Sequence, residues 1–397
     1  VHNDDSMLAR FRRRFWLPPR RHGEAITDRT VSFLELFYDL VYVVVIGRLA
    51  HTLAGYTDAR NVGEFVVIFG LIWIAWLNGT LYYELHGRED GRTRLYVFIQ
   101  MLLLAVLAVF TGNAGGADGA AFAVVYVLYL VVLTWLWYTV WLLDTEEFRG
   151  LAGRYLVGMG VTIAGMTGSV FVPEGPRTVV WAVLVLFWII GANVLNRDPT
   201  MRHATVPTDS LVERFGLFVI IVLGEVIVGV VTGLAQAPAT FRVIATGLLG
   251  LMIAFAYWWT YFDYAGRRLP RPGPSLATWM TAHLPVTGAI AAAGAAMVSL
   301  VEHAGDSVTP EATAWLLAGS VAVGLVALIV IMGTLENAVT LPGLYRPVMA
   351  TLGAAAVVEL VVGWWAPAPW LLALALVATL SVVWWFAVDR WLRVEEG

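Results

Sequence analysis

Cysteine and lysine are both absent from the 397 residues. Without cysteine there is no disulfide, no thiolate metal ligand and no thiol nucleophile. Without lysine there is no Schiff-base or amine-nucleophile chemistry. Charge of either sign is scarce, at 14% of residues against 59% hydrophobic. No Walker loop and no Gly-x-Gly-x-x-Gly turn occurs, which excludes nucleotide-driven work within this chain. The Thr-Val-Gly-Tyr-Gly filter, the paired acidic clamps that hold magnesium diphosphate, and His-x-x-x-His or Glu-x-x-His clusters within the apolar spans are missing as well. No cofactor, metal or nucleic-acid partner is expected.

What remains is apolar: the mean hydropathy of +0.75 exceeds what a water-soluble domain of this size buries. The expectation is an all-α integral membrane protein, with the lipid bilayer as its solvent. Windows long enough to cross about 30 Å of hydrocarbon as helix fall near 33–54, 62–84, 95–111, 120–143, 155–172, 178–195, 211–235, 241–262, 277–301, 314–335, 347–365 and 370–389, about twelve spans. Arginine sets the orientation, because positive charge resists translocation. Alternate loops and the two ends carry 20 arginines on one side, against Arg60, Arg177 and Arg242 on the other. Both termini are therefore expected in the cytoplasm. No cleavable signal peptide is visible, so the first span is expected to act as an uncleaved insertion signal.

The pattern Ser-x-x-Glu-x-Phe opens the first span at Ser32, Glu35 and Phe37, and recurs 178 positions on, at Ser210, Glu213 and Phe215. Tyr82, Tyr83 and Glu84 at the end of the second span similarly match Tyr261, Phe262 and Asp263 at the end of the eighth. These matches point to two tandem six-helix repeats in parallel orientation, with a polar site between them near the midplane. The expected organisation is a cytoplasmic basic segment over 1–32, a first repeat over 33–195, a linker over 196–210, a second repeat over 211–391 and a tail over 392–397. Within the basic segment, Leu8, Phe11 and Phe15 at helical spacing among arginines suit an anionic membrane face, or equally a positive anchor without structure.

Ionisable groups inside apolar spans mark candidate functional positions. Glu35 and Asp39, four apart, lie on one face of a helix, and like charges that close in low dielectric do not both stay ionised. Glu225 is close to mid-membrane and Arg214 shares its face; Arg48 of the first span is the expected partner for Glu225. His283 precedes Pro285 on a span with a small-residue stripe at Gly288, Ala292 and Ala296; a similar stripe runs through Gly160, Ala164 and Gly168. Asn78, Glu84, Asp263 and Glu359 are secondary candidates. Trp73 with Trp76, and Trp135 with Trp137, lie deeper than the tryptophans that anchor span ends. Three functions fit: an ion or proton channel or transporter with a carboxylate-lined pathway between the repeats, carrying a proton or a monovalent cation; an intramembrane enzyme using a carboxyl as general acid on a lipid or isoprenoid; or a membrane-organising protein whose charges are structural. A homo-oligomer is compatible with each.

The string Phe33-Leu-Glu-Leu-Phe-Tyr-Asp39-Leu-Val-Tyr-Val-Val-Val with Arg48-Leu-Ala, the string Glu213-Arg-Phe-Gly-Leu-Phe with Leu223-Gly-Glu225, and His283-Leu-Pro together resemble the bacterial low temperature requirement A family. The resemblance implies a multi-span inner-membrane protein without an assigned activity, and carries over Glu35, Asp39, Glu213, Arg214, Glu225 and His283. Phe37-Tyr38-Asp39 is also similar to the Phe-Ser-Asp opening of a potassium and proton channel family that has two six-helix repeats and lacks the usual filter. Tyr replaces Ser here, and the second copy, Phe215-Gly216-Leu217, lacks the Asp.

Overall fold

A computed structural model describes residues 15–24, 31–195 and 206–395. The amphipathic reading of 7–16 falls outside these residues, apart from Phe15 and Trp16, and so does most of the expected linker. Among the described residues twelve long helices and one short helix follow in order: α1 Phe33–Gly55, α2 Ala59–His86, α3 Gly91–Thr111, α4 Gly119–Leu143, α5 Glu146–Ser169, α6 Glu174–Leu195, α7 Asp209–Gln236, α8 Phe241–Tyr264, α9 Pro274–Glu302, α10 Glu311–Thr334, α11 Asn337–Thr340, α12 Pro342–Trp365 and α13 Pro369–Glu395. There is no strand among the described residues, only an isolated bridge between Pro270 and Leu335. Helix throughout is what a low-dielectric solvent selects, since each segment then satisfies its own backbone.

Ten of these helices are long and apolar enough to cross a membrane by length and composition. The two that fall short are α1, which carries Glu35, Asp39 and Arg48, and α5, which opens with Glu146, Glu147, Arg149 and Arg154. The expected windows and the helices coincide closely, except that α5 begins at Glu146, well before the apolar window. A helix continues through charged residues at its wet end, whereas hydropathy stops there.

Helix starts are fixed by caps. Asp90, Thr208 and Thr240 each accept the backbone N–H three residues on. At α1, the Glu35 carboxylate accepts the Ser32 N–H at 3.0 Å and the Ser32 hydroxyl accepts the Glu35 N–H at 3.3 Å, a capping box. Pro342 and Pro369 open α12 and α13, where a missing N–H costs nothing. The left-handed Ala366 (φ 45°) ends α12.

The chain divides into two compact units: residues 1–45 with 70–191, and residues 46–69 with 192–397. In the first, α4 packs on α3 and α5, and residues 71–83 of α2 are buried without a break. Gly158 and Gly165 face Trp188 and Leu184 there, whereas Gly160, Ala164 and Gly168 are exposed, and a Cβ added at Gly160 or Gly168 meets open space. The expected stripe on α5 thus points outward, and the packing glycines lie on a different face of the same helix.

In the second unit, α9 is central and packs on α7, α8 and α10. Here the small residues do make a crossing. A Cβ on Gly229 would run into the Gly294 carbonyl oxygen, one on Gly294 would lie 2.7 Å from the Glu225 carbonyl oxygen, and one on Gly233 would lie 2.9 Å from that of Val298. Backbones approach this closely where at least one of the two residues in contact has no side chain, and at Gly229 and Gly294 neither has one. Gly288 faces the Phe69 ring.

Candidate functional site

In the first unit, Asp39 is completely buried, and its Oδ1 accepts the Trp76 indole N–H at 2.8 Å. Beside it on α1, Tyr38 and Tyr42 form a triangle of hydroxyls with Tyr129 of α4, with edges of 2.6, 2.8 and 3.2 Å. Gly79 makes room for this triangle, since a Cβ there would lie 3.0 Å from the Tyr38 hydroxyl. Tyr83 donates to Gln100 Oε1 at 2.6 Å, and Asn78 donates to the Ile74 carbonyl at 2.9 Å. Glu35 and Asp39 are both buried on α1, and the contacts given above differ: Glu35 closes the helix start, and Asp39 takes an indole proton.

Sequence reasoning singled out Asp39 but not its surroundings. The depth of Trp76 does not identify it as the partner of Asp39, Tyr42 enters only as a member of the string from Phe33, and Gln100 is not among the candidates. Their signal was present, as Tyr38 and Tyr42 recur at i, i+4 and Gln100 is a lone amide in an apolar span.

In the second unit, Glu225 is 8% exposed at the α7–α9 crossing. A Cβ on Gly47 would lie 3.0 and 3.1 Å from its two carboxylate oxygens. Among the described residues the Glu225 carboxylate has neither a hydrogen-bond partner nor an ion pair. The expected Arg48–Glu225 pair does not form: Arg48 is exposed, and its neighbour Gly47 meets the carboxylate instead. One residue is 100° of helix, so the glycine facing Glu225 turns the arginine away.

Arg214 is buried and Glu213 beside it is exposed. The two copies of the Ser-x-x-Glu pattern therefore differ locally, because α7 is capped by Thr208, and Ser210 is already helical. His283 is fully enclosed. Its Nδ1 faces the Trp279 carbonyl at 2.7 Å, which only accepts, so Nδ1 carries the hydrogen and Nε2 accepts from the Tyr261 hydroxyl at 2.9 Å. Phe215 and Trp279 stand edge-on to the imidazole, at 4.8 and 4.5 Å.

Glu359 of α12 is completely buried, and neither carboxylate oxygen has a hydrogen-bond partner. It lies between two close approaches of α12 to α10, Gly363 against Ala318 and Gly353 against Ile329. Asp263 is exposed and Glu84 is half-buried; their backbone carbonyls accept from Arg268 and Arg20. A small cavity with room for about one water is lined by Leu223, Val226, Tyr257, Ile290 and Ser320.

Ten membrane-length apolar helices, two compact units and carboxylates enclosed within them define a polytopic α-helical membrane protein. The model of the family described as bacterial low temperature requirement A protein (LtrA) matches residues 30–383, and the chain belongs to that family. An uncharacterized protein of Rhizobium meliloti (strain 1021), RA0937, is 27% identical over 308 residues, covering 66% of this chain and 68% of that one.

Proposed function

We propose that the protein moves protons, or a monovalent cation in exchange for them, across the bacterial cytoplasmic membrane, with Glu225 as an obligatory relay group. The observation that carries this reading is the Glu225 carboxylate, largely buried at a helix crossing and, among the described residues, without a hydrogen bond or ion pair. A carboxylate kept for structure is normally paired or multiply hydrogen-bonded. One kept without partners in a membrane interior is suited to exchanging a proton, which relieves it of charge at each crossing. Glu359 is a second group of the same kind in the same unit. The low residual exposure of Glu225 allows a water to reach it, whereas Glu359 has none.

On this reading all twelve long helices cross the membrane as two six-helix repeats, with both termini in the cytoplasm. The arginine distribution supports that arrangement. α1 is less apolar than its neighbours because it carries Glu35, Asp39 and Arg48, and α5 because of the charged residues at its start.

The experiment is flux into proteoliposomes that contain a pH-sensitive dye. Wild-type protein collapses an imposed proton gradient, and Glu225→Gln, which keeps shape and removes the exchangeable proton, abolishes the flux while its unfolding temperature is unchanged. Gly47→Ala, which presses a methyl on the carboxylate, reduces the flux. Equal flux in Glu225→Gln and wild type, or none in wild type under a potassium or sodium gradient, refutes the proposal.

A further inference from the structure

The geometry points to a binding site for one divalent transition-metal ion formed by His22, His86 and Asp144, at the end of the first unit. One candidate ligand atom from each of these residues lies within 4.8 Å of the others. His86 and Asp144 are buried, and His22 is partly so. They come from three separate places: the extended strap before α1, the last residue of α2 and the residue after α4.

The strap is held to the bundle by its backbone. The Arg20 N–H donates to the His86 carbonyl at 3.0 Å, the Leu17 N–H to Asp90 Oδ2 at 2.8 Å, and the His22 N–H to Asp144 Oδ1 at 3.1 Å. Arg20 commits its guanidinium to the Gly87 and Glu84 carbonyls, at 2.7 and 2.6 Å. Arg88 bonds the Pro18 carbonyl and Glu24. His22 is thereby positioned as firmly as a residue of the bundle.

The proton on His86 is settled by its partner. Nδ1 lies 2.9 Å from the Arg20 carbonyl oxygen, which only accepts, so Nδ1 carries the hydrogen and Nε2 keeps its lone pair. An imidazole donating one N–H to a backbone carbonyl and presenting the other nitrogen is the usual support of a metal-ligating histidine. Asp144 is oriented in the same way: Oδ1 accepts the N–H groups of His22 and Thr145, and Oδ2 accepts none. The His22 ring is stacked on Phe148 at 4.0 Å, and the His86 ring is edge-on to Trp137 at 5.5 Å, so both planes are fixed.

Two imidazoles and one carboxylate suit zinc and its neighbours, and favour them over magnesium or calcium, which take oxygen ligands. Bonds of about 2.0–2.1 Å put tetrahedral ligand atoms roughly 3.4 Å apart, so the three groups close on an ion with shifts of about 1 Å. Three protein ligands leave a fourth position for water or an outside ligand. The ion would also staple the strap to α2 and α4.

The test is zinc titration of the full chain in detergent after chelator treatment, followed by calorimetry and by the visible spectrum of the cobalt form. One zinc per chain binds to wild type and raises its unfolding temperature. His22→Phe keeps the stack on Phe148 and the backbone bond to Asp144 but removes both nitrogens; Asp144→Asn keeps an acceptor for the His22 N–H. Each weakens zinc binding at least about 10–100-fold, as losses at metal sites do, and the zinc-induced thermal shift disappears. Because His22 lies on the strap, His22→Phe folds even if Asp144→Asn does not. Absence of saturable zinc binding, or binding unchanged in His22→Phe, overturns the site.

Discussion

Replacing Gly294 by alanine tests the α7–α9 crossing and its link to Glu225 together. The new Cβ would lie 2.7 Å from the Glu225 carbonyl oxygen, 2.8 Å from its carbon and 3.0 Å from the Val226 nitrogen, all backbone atoms, where ordinary contact starts at 3.4 Å. No side chain can rotate out of the way, so the two helices must separate. Overpacking of this kind costs about 1–3 kcal/mol. Alanine also returns about 1 kcal/mol through helix propensity, which leaves a net loss of up to about 2 kcal/mol. Gly160→Ala is the matched control, because its Cβ meets open space and only the propensity gain applies. Tryptophan fluorescence during thermal unfolding in detergent should rank Gly160→Ala above wild type and Gly294→Ala below it. Displacement of the Glu225 backbone should lower proton flux in Gly294→Ala as well. If Gly294→Ala unfolds at or above the temperature of Gly160→Ala, the close backbone crossing is refuted.

Glu359→Met replaces a buried carboxyl that has no hydrogen-bond partner with an apolar chain, and should raise stability by about 1–3 kcal/mol in chemical unfolding; a loss would mean the carboxyl is paired. Trp76→Phe takes the indole donor from Asp39 and should cost about 1–3 kcal/mol in the same assay, with no change counting against the bond. Glu24 concerns pH. Burial raises its carboxyl, but the hydrogen bond and charge of Arg88 outweigh it and hold the group below its ordinary value. A depressed carboxyl contributes stability that is complete above the unfolded value, about 4.3, and is lost as pH falls through the folded one. Protection factors over residues 15–24, taken relative to the intrinsic exchange rate at each pH, should therefore fall modestly below about pH 4, less so in Arg88→Ala; an equal fall in both would dismiss the ion pair.

The helices were legible because membrane burial selects long apolar runs, whereas the start of α5 at Glu146 lies outside its apolar window. Glu225 was legible as a costly position for the same reason. Its neighbour was not, since Gly47 and Arg48 differ by one residue and only the rotation of α1 decides which of them faces α7. The stripe on α5 misled because small residues tell that a close approach is permitted, not that a helix is there to make it. The strap and its histidine were invisible for another reason: Arg20, Leu17 and His22 act through backbone groups and carbonyls, which leave no periodic trace, and His22 and Asp144 are 122 residues apart.

That separation orders events during synthesis. The strap is made before its anchors, since Gly87, Asp90 and Asp144 emerge only after α2 and then α4 have been made. Its docking is therefore completed only after Asp144 has been synthesised, 122 residues behind His22.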